Sequence, residues 1–302
     1  RDVERSRGLG DVYKRQIGTH GVKMANAAVN ECDVLFLVGA RVGDRAVKTP
    51  LALEKTTKII HIDIDPAEIG KNIGADLPLV GDAKLVLQQM TELAKPMKHD
   101  EWIAHIKTLG GERKYVEPAK GTVNPRVFID RLAKKMPANV TVVADVGQNQ
   151  IWTCTEYKFR KEGRLLTSGG MGTMGYSVPA AIGAKMADNS RATVAICGDG
   201  AFQMSFMELA TAVQFGVDIK VVVMTNNRLG MVRELQTNGY HDRQTAVFLD
   251  GSPDFIKLAE AYGIPAMRVY DDDTMEKGVE MLAEHKGICL VEVVVDKDMP
   301  TL

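Results

Sequence analysis

Two residues stand out by type and position: Asp199, inside Gly198-Asp199-Gly200, and Asn226, the first of the pair Asn226-Asn227. A carboxylate, a side-chain amide oxygen and nearby loop carbonyls are hard oxygen donors. They suit Mg2+, which shares its shell readily with phosphate oxygens. Gly200 lacks the Cβ that would hold a phosphate away from the backbone, and a helix starting there offers N–H groups to an anion. These types therefore fit a Mg2+-diphosphate site. They also fit a loop aspartate of any doubly wound sheet followed by an Asn-Asn turn, and spacing alone leaves both readings standing.

The elements around these residues decide whether they can meet. Thr193-Val194-Ala195-Ile196-Cys197 reads as a buried strand ending at the acid. A helical stretch runs from Met204 to Phe215, apolar at Phe206, Met207, Leu209, Ala210 and Val213. A second apolar strand runs from Ile219 to Met224 and ends at the asparagines. A strand-helix-strand crossover is right-handed and brings both strand ends to one edge of a parallel sheet, where ligands bind. Asp199 and Asn226 should face one site.

The rest of the chain repeats the pattern. Residues 17–95 alternate a helix (25–31), strands (33–39, 58–65, 79–82) and a helix (84–93). Residues 96–122, charged and punctuated by Pro and Gly, read as a linker with one short helix around Trp102. Residues 123–302 form a third region. There Pro125 opens a helix, 140–145 is a strand, 169–175 is a glycine-dense loop before a helix at 178–186, and 228–252 is a long polar loop. A helix at 254–262 and a strand at 288–295 close the chain. The fold class expected is α/β, with two doubly wound parallel-sheet domains. Residues 1–16 are charged and aperiodic and stop abruptly at Ile17, so they read as a linker or a non-native segment.

A net charge of −1 and two tryptophans argue against a nucleic-acid surface, and no apolar run reaches membrane length. Cys32, Cys154, Cys197 and Cys289 are scattered, so reduced thiols in a cytoplasmic protein are expected rather than a disulfide frame or zinc site.

The texts TSGGMGTMGYSVPAAIGAKMA (167–187) and CGDGAFQMSFMELATAVQFGVDIKVVVMTNNRLGMVRELQ (197–236) resemble the large subunits of acetohydroxyacid (acetolactate) synthases, which are thiamine diphosphate enzymes. The likeness runs from about Ile17 to near the C-terminus. It implies Asp199, Asn226 and the Arg228 carbonyl as Mg2+ ligands, with Asn227 as the alternative. Gly147, Gln148 and Asn149 fall on the family's Gly-Gln-His diphosphate loop, with an uncharged Asn for His. Gly198, Gly200 and Ala201 continue that cradle. Met174 falls on the wedge that bends the cofactor, and Gly172 on the carbonyl that meets its aminopyrimidine. Met231, Val232 and Leu235 fall on the substrate wall. Leu235 stands where many relatives carry a Trp that favours 2-oxobutanoate, so pyruvate is the expected second substrate.

Residues 17–95 resemble the family's middle domain, which holds FAD. Gly18 and His20 match its Gly-x-His-Gly loop, Gly39, Ala40, Arg41 and Arg45 its Gly-Ala-Arg motif, and Asp63 and Asp82 its strand-end acids. The sequence departs from the family at Val42-Gly43-Asp44-Arg45, where an Asp-Asp-Arg is usual. The resemblance further implies a homodimer with the active site between subunits, a small regulatory subunit, and a catalytic Glu in an N-terminal domain that this chain lacks. The chain alone is then expected to be inactive. The function implied is a transferase that decarboxylates pyruvate and joins the fragment to pyruvate or 2-oxobutanoate in branched-chain amino acid synthesis. Two alternatives are another thiamine diphosphate enzyme acting on 2-oxo acids and a non-catalytic nucleotide-binding module.

Overall fold

Strand β7 (Lys220–Thr225) is buried at every position, as a strand inside a parallel sheet covered on both faces must be. Its side chains divide by period two. Val222 and Met224 enter one core with Phe128, Ile129, Trp152 and Leu282, and Val221 and Val223 enter a second with Val178, Phe202, Leu209 and Phe255. The computed structural model describes residues 17–18, 21, 23–43, 46–47, 50–109, 115–160 and 162–301. Residues 1–16, His20 and Arg45 lie outside the described residues.

The described residues from 115 onward form one compact unit and those up to 109 another. The larger unit is a six-stranded, all-parallel sheet in the order β5-β4-β6-β7-β9-β8. Its strands are β4 (Thr141–Ala144), β5 (Arg164–Thr167), β6 (Thr193–Gly198), β7, β8 (Ala266–Val269) and β9 (Cys289–Val294). Helices α5 (Pro125–Lys135), α6 (Gln148–Glu156) and α12 (Asp272–Glu284) cover one face. The other is covered by α7 (Ser177–Ala187), α8 (Asp199–Gln203), α9 (Leu209–Gln214) and α11 (Phe255–Ala261). Pro125 occupies the first turn of α5, and Asn124 caps it by accepting the Arg126 and Val127 N–H groups.

The smaller unit is a three-stranded parallel sheet, β1 (Val34–Val38), β2 (Lys58–Asp63) and β3 (Leu77–Val80), in that order. Helices α1 (Lys23–Glu31), α2 (Pro50–Glu54), α3 (Ala83–Leu93) and α4 (Asp100–Thr108) accompany it. Leu37, Leu53 and Ile59 form its core, with Val29 packed against them. The helix around Trp102 is α4, which packs on α1 within this unit.

The fold is the α/β class expected, with four local differences. The stretch 204–215 is not one helix: α8 begins at Asp199, and a single 3-10 turn (Phe206–Glu208) separates it from α9. Ser205, outside the helical region at φ −144°, makes the break. The stretch 228–252 is not all loop, because Gly230–Gly239 is helix α10. Strands β5 and β8, at the two sheet edges, have no apolar run to announce them. Helices α6 and α12 are present in addition to the expected elements. No helix among the described residues is long and apolar enough to cross a membrane.

Candidate functional site

The sheet order reverses at β4: β5 lies on one side and β6 on the other. The crevice outside the strand ends at such a point is where open α/β sheets bind ligands. Here it is a groove walled by residues following β4, β6 and β7, among them Gly147, Asp199 and Asn226.

Asp199 starts α8 and is 2% exposed. Its Oδ2 accepts the backbone N–H groups of Asn226 at 3.1 Å and Asn227 at 2.6 Å, and Oδ1 accepts that of Gly200 at 2.8 Å. Burial pushes its carboxyl up to about 6, against the lowering effect of those three donors. Among the described residues no group of three or more His, Cys, Asp or Glu side chains could hold a metal. A cation at Asp199 would therefore complete its shell from amide and carbonyl oxygens and from the ligand's phosphates, a donor set that suits Mg2+.

Asn226 lines the groove, whereas Asn227 is exposed, lies outside the lining and adopts φ 53°. The Asn226 Oδ1 accepts the Arg228 N–H at 3.1 Å and its Nδ2 donates to Gln148 Oε1 at 3.2 Å. The Arg228 guanidinium is held by Asp250 at 2.8 Å and lies 4.6 Å from the Phe248 ring centre.

Gly147, at φ 142°, lets the chain turn from β4 into α6. A Cβ there would come 2.6 Å from Asn149 Oδ1. Asn149 is buried, and its Nδ2 donates to the carbonyls of Asp145 at 2.8 Å and Ile196 at 3.2 Å. Both amide hydrogens thus tie the ends of β4 and β6 together rather than pointing into the groove. Gly200 brings the α8 backbone against the opposite wall: a Cβ would meet Leu229 at 2.8 Å and the Met174 methyl at 3.4 Å. Gly198, Ala201, Met174, Met231 and Val232 line the same groove. Leu235, one turn further along α10 and 51% exposed, does not, and neither does Gly172 at φ 65°.

Asp145 was not singled out from the sequence, yet it organises the glycine-dense loop. Fully buried at 0% exposure, it accepts the N–H groups of Gly175 at 3.0 Å and Ser177 at 2.7 Å. It thereby holds Met174 at the groove. The available signal was an acid at a strand end next to a glycine loop, the same signal that marked Asp199.

In the smaller unit Gly39, Asp63 and Asp82 end the three neighbouring strands. Gly39 adopts φ 56° and donates to Ile62 O at 2.7 Å. Asp63 accepts the Asp65 N–H at 3.0 Å, and Asp82 caps α3 through Lys84 and Leu85. Gly18 is clamped by Asn26, which both accepts its N–H at 2.7 Å and donates to its carbonyl at 2.9 Å. Gly18 lines a cavity of about 450 Å³ with Asn26, Asn30 and Thr56, but Gly39, Ala40, Arg41, Asp63 and Asp82 do not line it. Of the described residues of the expected FAD set, only Gly18 therefore borders this cavity.

The chain belongs to the thiamine pyrophosphate enzymes: residues 145–293 match their C-terminal TPP binding domain and residues 11–90 their central domain. Within that family it is similar to curated acetolactate synthase large subunits. The probable large subunit of Methanocaldococcus jannaschii is 39% identical over 291 residues, covering 93% of this chain and 49% of the relative. That of Lactococcus lactis subsp. lactis is 36% identical over 93% of this chain and 49% of its own length. The isozyme 2 large subunit of Escherichia coli K12 is 35% identical over 96% and 54%. The chain spans about half the length of the curated relatives it matches.

Proposed function

We propose that this chain is the cofactor-anchoring part of an acetolactate synthase large subunit, a transferase. The observation that carries the reading is the buried Asp199 carboxylate, which accepts the Asn226 N–H at the sheet's switch point. Asp199, Asn226 Oδ1 and the Arg228 carbonyl hold Mg2+, and the cation's positive charge offsets the cost of the buried carboxylate. Gly147, Gly198 and Gly200 clear the approach of the diphosphate, Gln148 borders it, and the first amides of α8, including Ala201, face its charge. Asn149 acts here by bracing β4 to β6. When bound, thiamine diphosphate supplies the carbon that adds to the 2-oxo acid and the ring that takes up the electron pair released with CO2.

The chain's other residues shape that chemistry. Met174, which lines the groove, would pack against bound thiamine diphosphate, and the Gly172 carbonyl, beyond the lining, would orient its aminopyrimidine. Met231 and Val232 form an apolar, water-excluding wall for the 2-oxo acid, with Leu235 at its outer end. A small apolar wall suits pyruvate as both donor and acceptor, giving 2-acetolactate, with 2-oxobutanoate as the alternative acceptor. The reaction is the first common step of branched-chain amino acid synthesis. Residues 17–95 are the middle domain, with FAD held by Gly18, His20, Gly39, Ala40, Arg41, Arg45, Asp63 and Asp82, and 123–302 the diphosphate domain. The name "large subunit" carried by the relatives supports a small regulatory partner. A homodimer in the cytoplasm completes the proposal.

The test is product analysis. The polypeptide, expressed with the coding sequence that flanks it, is incubated with pyruvate, thiamine diphosphate, Mg2+ and FAD. Acetolactate with CO2 is expected, and omission of FAD tests the middle domain. Acetaldehyde or acetyl phosphate would move the function to a decarboxylase or an oxidase.

A further inference from the structure

After β9 the backbone does not leave the domain. Met299, Pro300 and Thr301 are gripped by side chains from three helices, two of them, Gln148 and Trp152, lining the groove. Thr301 is 3% exposed. Its carbonyl accepts from Arg126 of α5 at 2.6 Å, and its N–H donates to Glu234 of α10 at 3.3 Å. Its hydroxyl is shared between the Glu234 carboxylate and the Nε2 of Gln148, the latter at 3.1 Å. Gln148 Nε2 also donates to the Met299 carbonyl at 3.0 Å. The Trp152 indole N–H donates to Pro300 O at 3.2 Å. A second tie, Arg233 to Asp298 at 3.2 Å, fastens the same segment to α10.

These bonds have a direction. Both hydrogens of the Gln148 amide are taken by the terminal segment and Glu234, which turns Oε1 toward Asn226 Nδ2 at 3.2 Å. The fit is close, since a Cβ on Gly230 would come 1.9 Å from that Oε1. Gln148 and Asn226 both line the groove, and so do Gly230, Met231 and Val232 of α10. One buried threonine therefore joins the first residue of α6, through it the residue after β7, and the helix of the apolar wall.

We propose that Glu234 and Thr301 are positioning residues of the cofactor groove: by holding Gln148 they set the orientation of Asn226, and so the affinity for Mg2+ and thiamine diphosphate. The inference rests on the function proposed above. It assigns a role to a segment, 296–301, and to a carboxylate that no chemical motif marks.

Trp152 makes the test direct, because it lines the groove and touches the clasp. In the whole chain carrying Trp102→Phe, Trp152 is the sole indole. Its emission is followed while thiamine diphosphate is titrated at saturating Mg2+. Thr301→Val and Glu234→Ala are expected to weaken binding roughly tenfold, the loss expected for one or two buried hydrogen bonds. Thr301→Ser keeps the hydroxyl and should restore affinity. Arg268→Ala breaks polar contacts to Glu292 and Asp254 at the far β8 edge. It should lower the unfolding temperature without changing affinity. If the reference chain binds and Thr301→Val binds equally well, the proposal is overturned while the groove's assignment stands. If Arg268→Ala weakens binding as much as Thr301→Val does, the effect is general destabilisation and the positioning role is overturned. If the reference chain shows no Mg2+-dependent binding, the proposed function fails and the positioning role falls with it.

Discussion

The Asp199 carboxylate receives the Asn227 backbone N–H at 2.6 Å, across 28 residues of chain. The turn after β7 is thus wrapped around the acid that ends β6. This leaves a carboxylate buried and held by backbone N–H donors, an arrangement that costs free energy and that a bound cation would offset.

That cost should be visible as a pH dependence. Burial raises the Asp199 carboxyl from an ordinary 3.8 to about 6. The folded state then binds the proton more tightly than the unfolded state, so stability without ligand is full below about pH 4 and falls as pH rises through about 6. The full effect is on the order of 3 kcal/mol. Thermal unfolding followed between pH 4 and 7 should show this slope in the ligand-free chain, and Asp199→Asn should flatten it. An equal slope in both would remove Asp199 as its cause.

The same proton competes with Mg2+. Below about pH 6, Mg2+-dependent binding of thiamine diphosphate should weaken by about tenfold for each further pH unit. Calorimetric titration at pH 5, 6 and 7 checks this, and proton release on binding should be about half a proton near pH 6 and approach one below it. Binding that ignores pH over this range would place the cation elsewhere.

Gly230 has no room for a side chain. Gly230→Ala would put a Cβ 1.9 Å from Gln148 Oε1 and 3.1 Å from Asn226 Nδ2. Overpacking of this kind costs about 1–3 kcal/mol. Because the displaced atoms line the groove, affinity for thiamine diphosphate should fall too. Gly251, whose added Cβ meets nothing within 4 Å, is the control: Gly251→Ala should leave both quantities near their starting values.

Removing Asp145 should be severe. Asp145→Ala leaves the Gly175 and Ser177 N–H groups without their acceptor in a buried place. Unmet buried donors cost about 1–3 kcal/mol each, so urea unfolding should shift by several kcal/mol. Asp145→Asn keeps one acceptor oxygen and should lose less. If the two substitutions cost the same and little, the carboxylate does not anchor the loop.

The cysteines should separate by reactivity. Burial pushes the Cys154 thiol up to about 12, Cys289 to about 11, and Cys197 well above its ordinary value. Cys32 is raised too but is only half-buried. Thiolate is the reactive form, so a disulfide reagent at pH 8 should label Cys32 and reach the other three only after denaturation. Rapid labelling of two or more thiols in the folded chain would contradict the buried assignments.

The sequence by itself determined the crossover that carries Asp199 and Asn226. A parallel strand buried on both faces reads as a near-continuous apolar run, and Val194–Cys197 and Val221–Met224 are such runs between polar strand ends. Helix α10 was not legible, because only Met231, Val232 and Leu235 of its ten residues are large and apolar and a glycine stands at each end, at 230 and 239. Its stability comes from contacts made elsewhere, among them Arg233 with Asp298 and Glu234 with Thr301. Residue type also could not tell which way an amide points. Asn149 read as a diphosphate donor, but both its hydrogens go to strand-end carbonyls. Which of the two asparagines faces the groove was likewise left open by the sequence and is decided by the left-handed backbone at Asn227. Local pattern encodes what a residue's own burial requires. Pairings such as Gln148 with Thr301, 153 positions apart, arise only when the sheet brings α6, α10 and the chain's end to one edge.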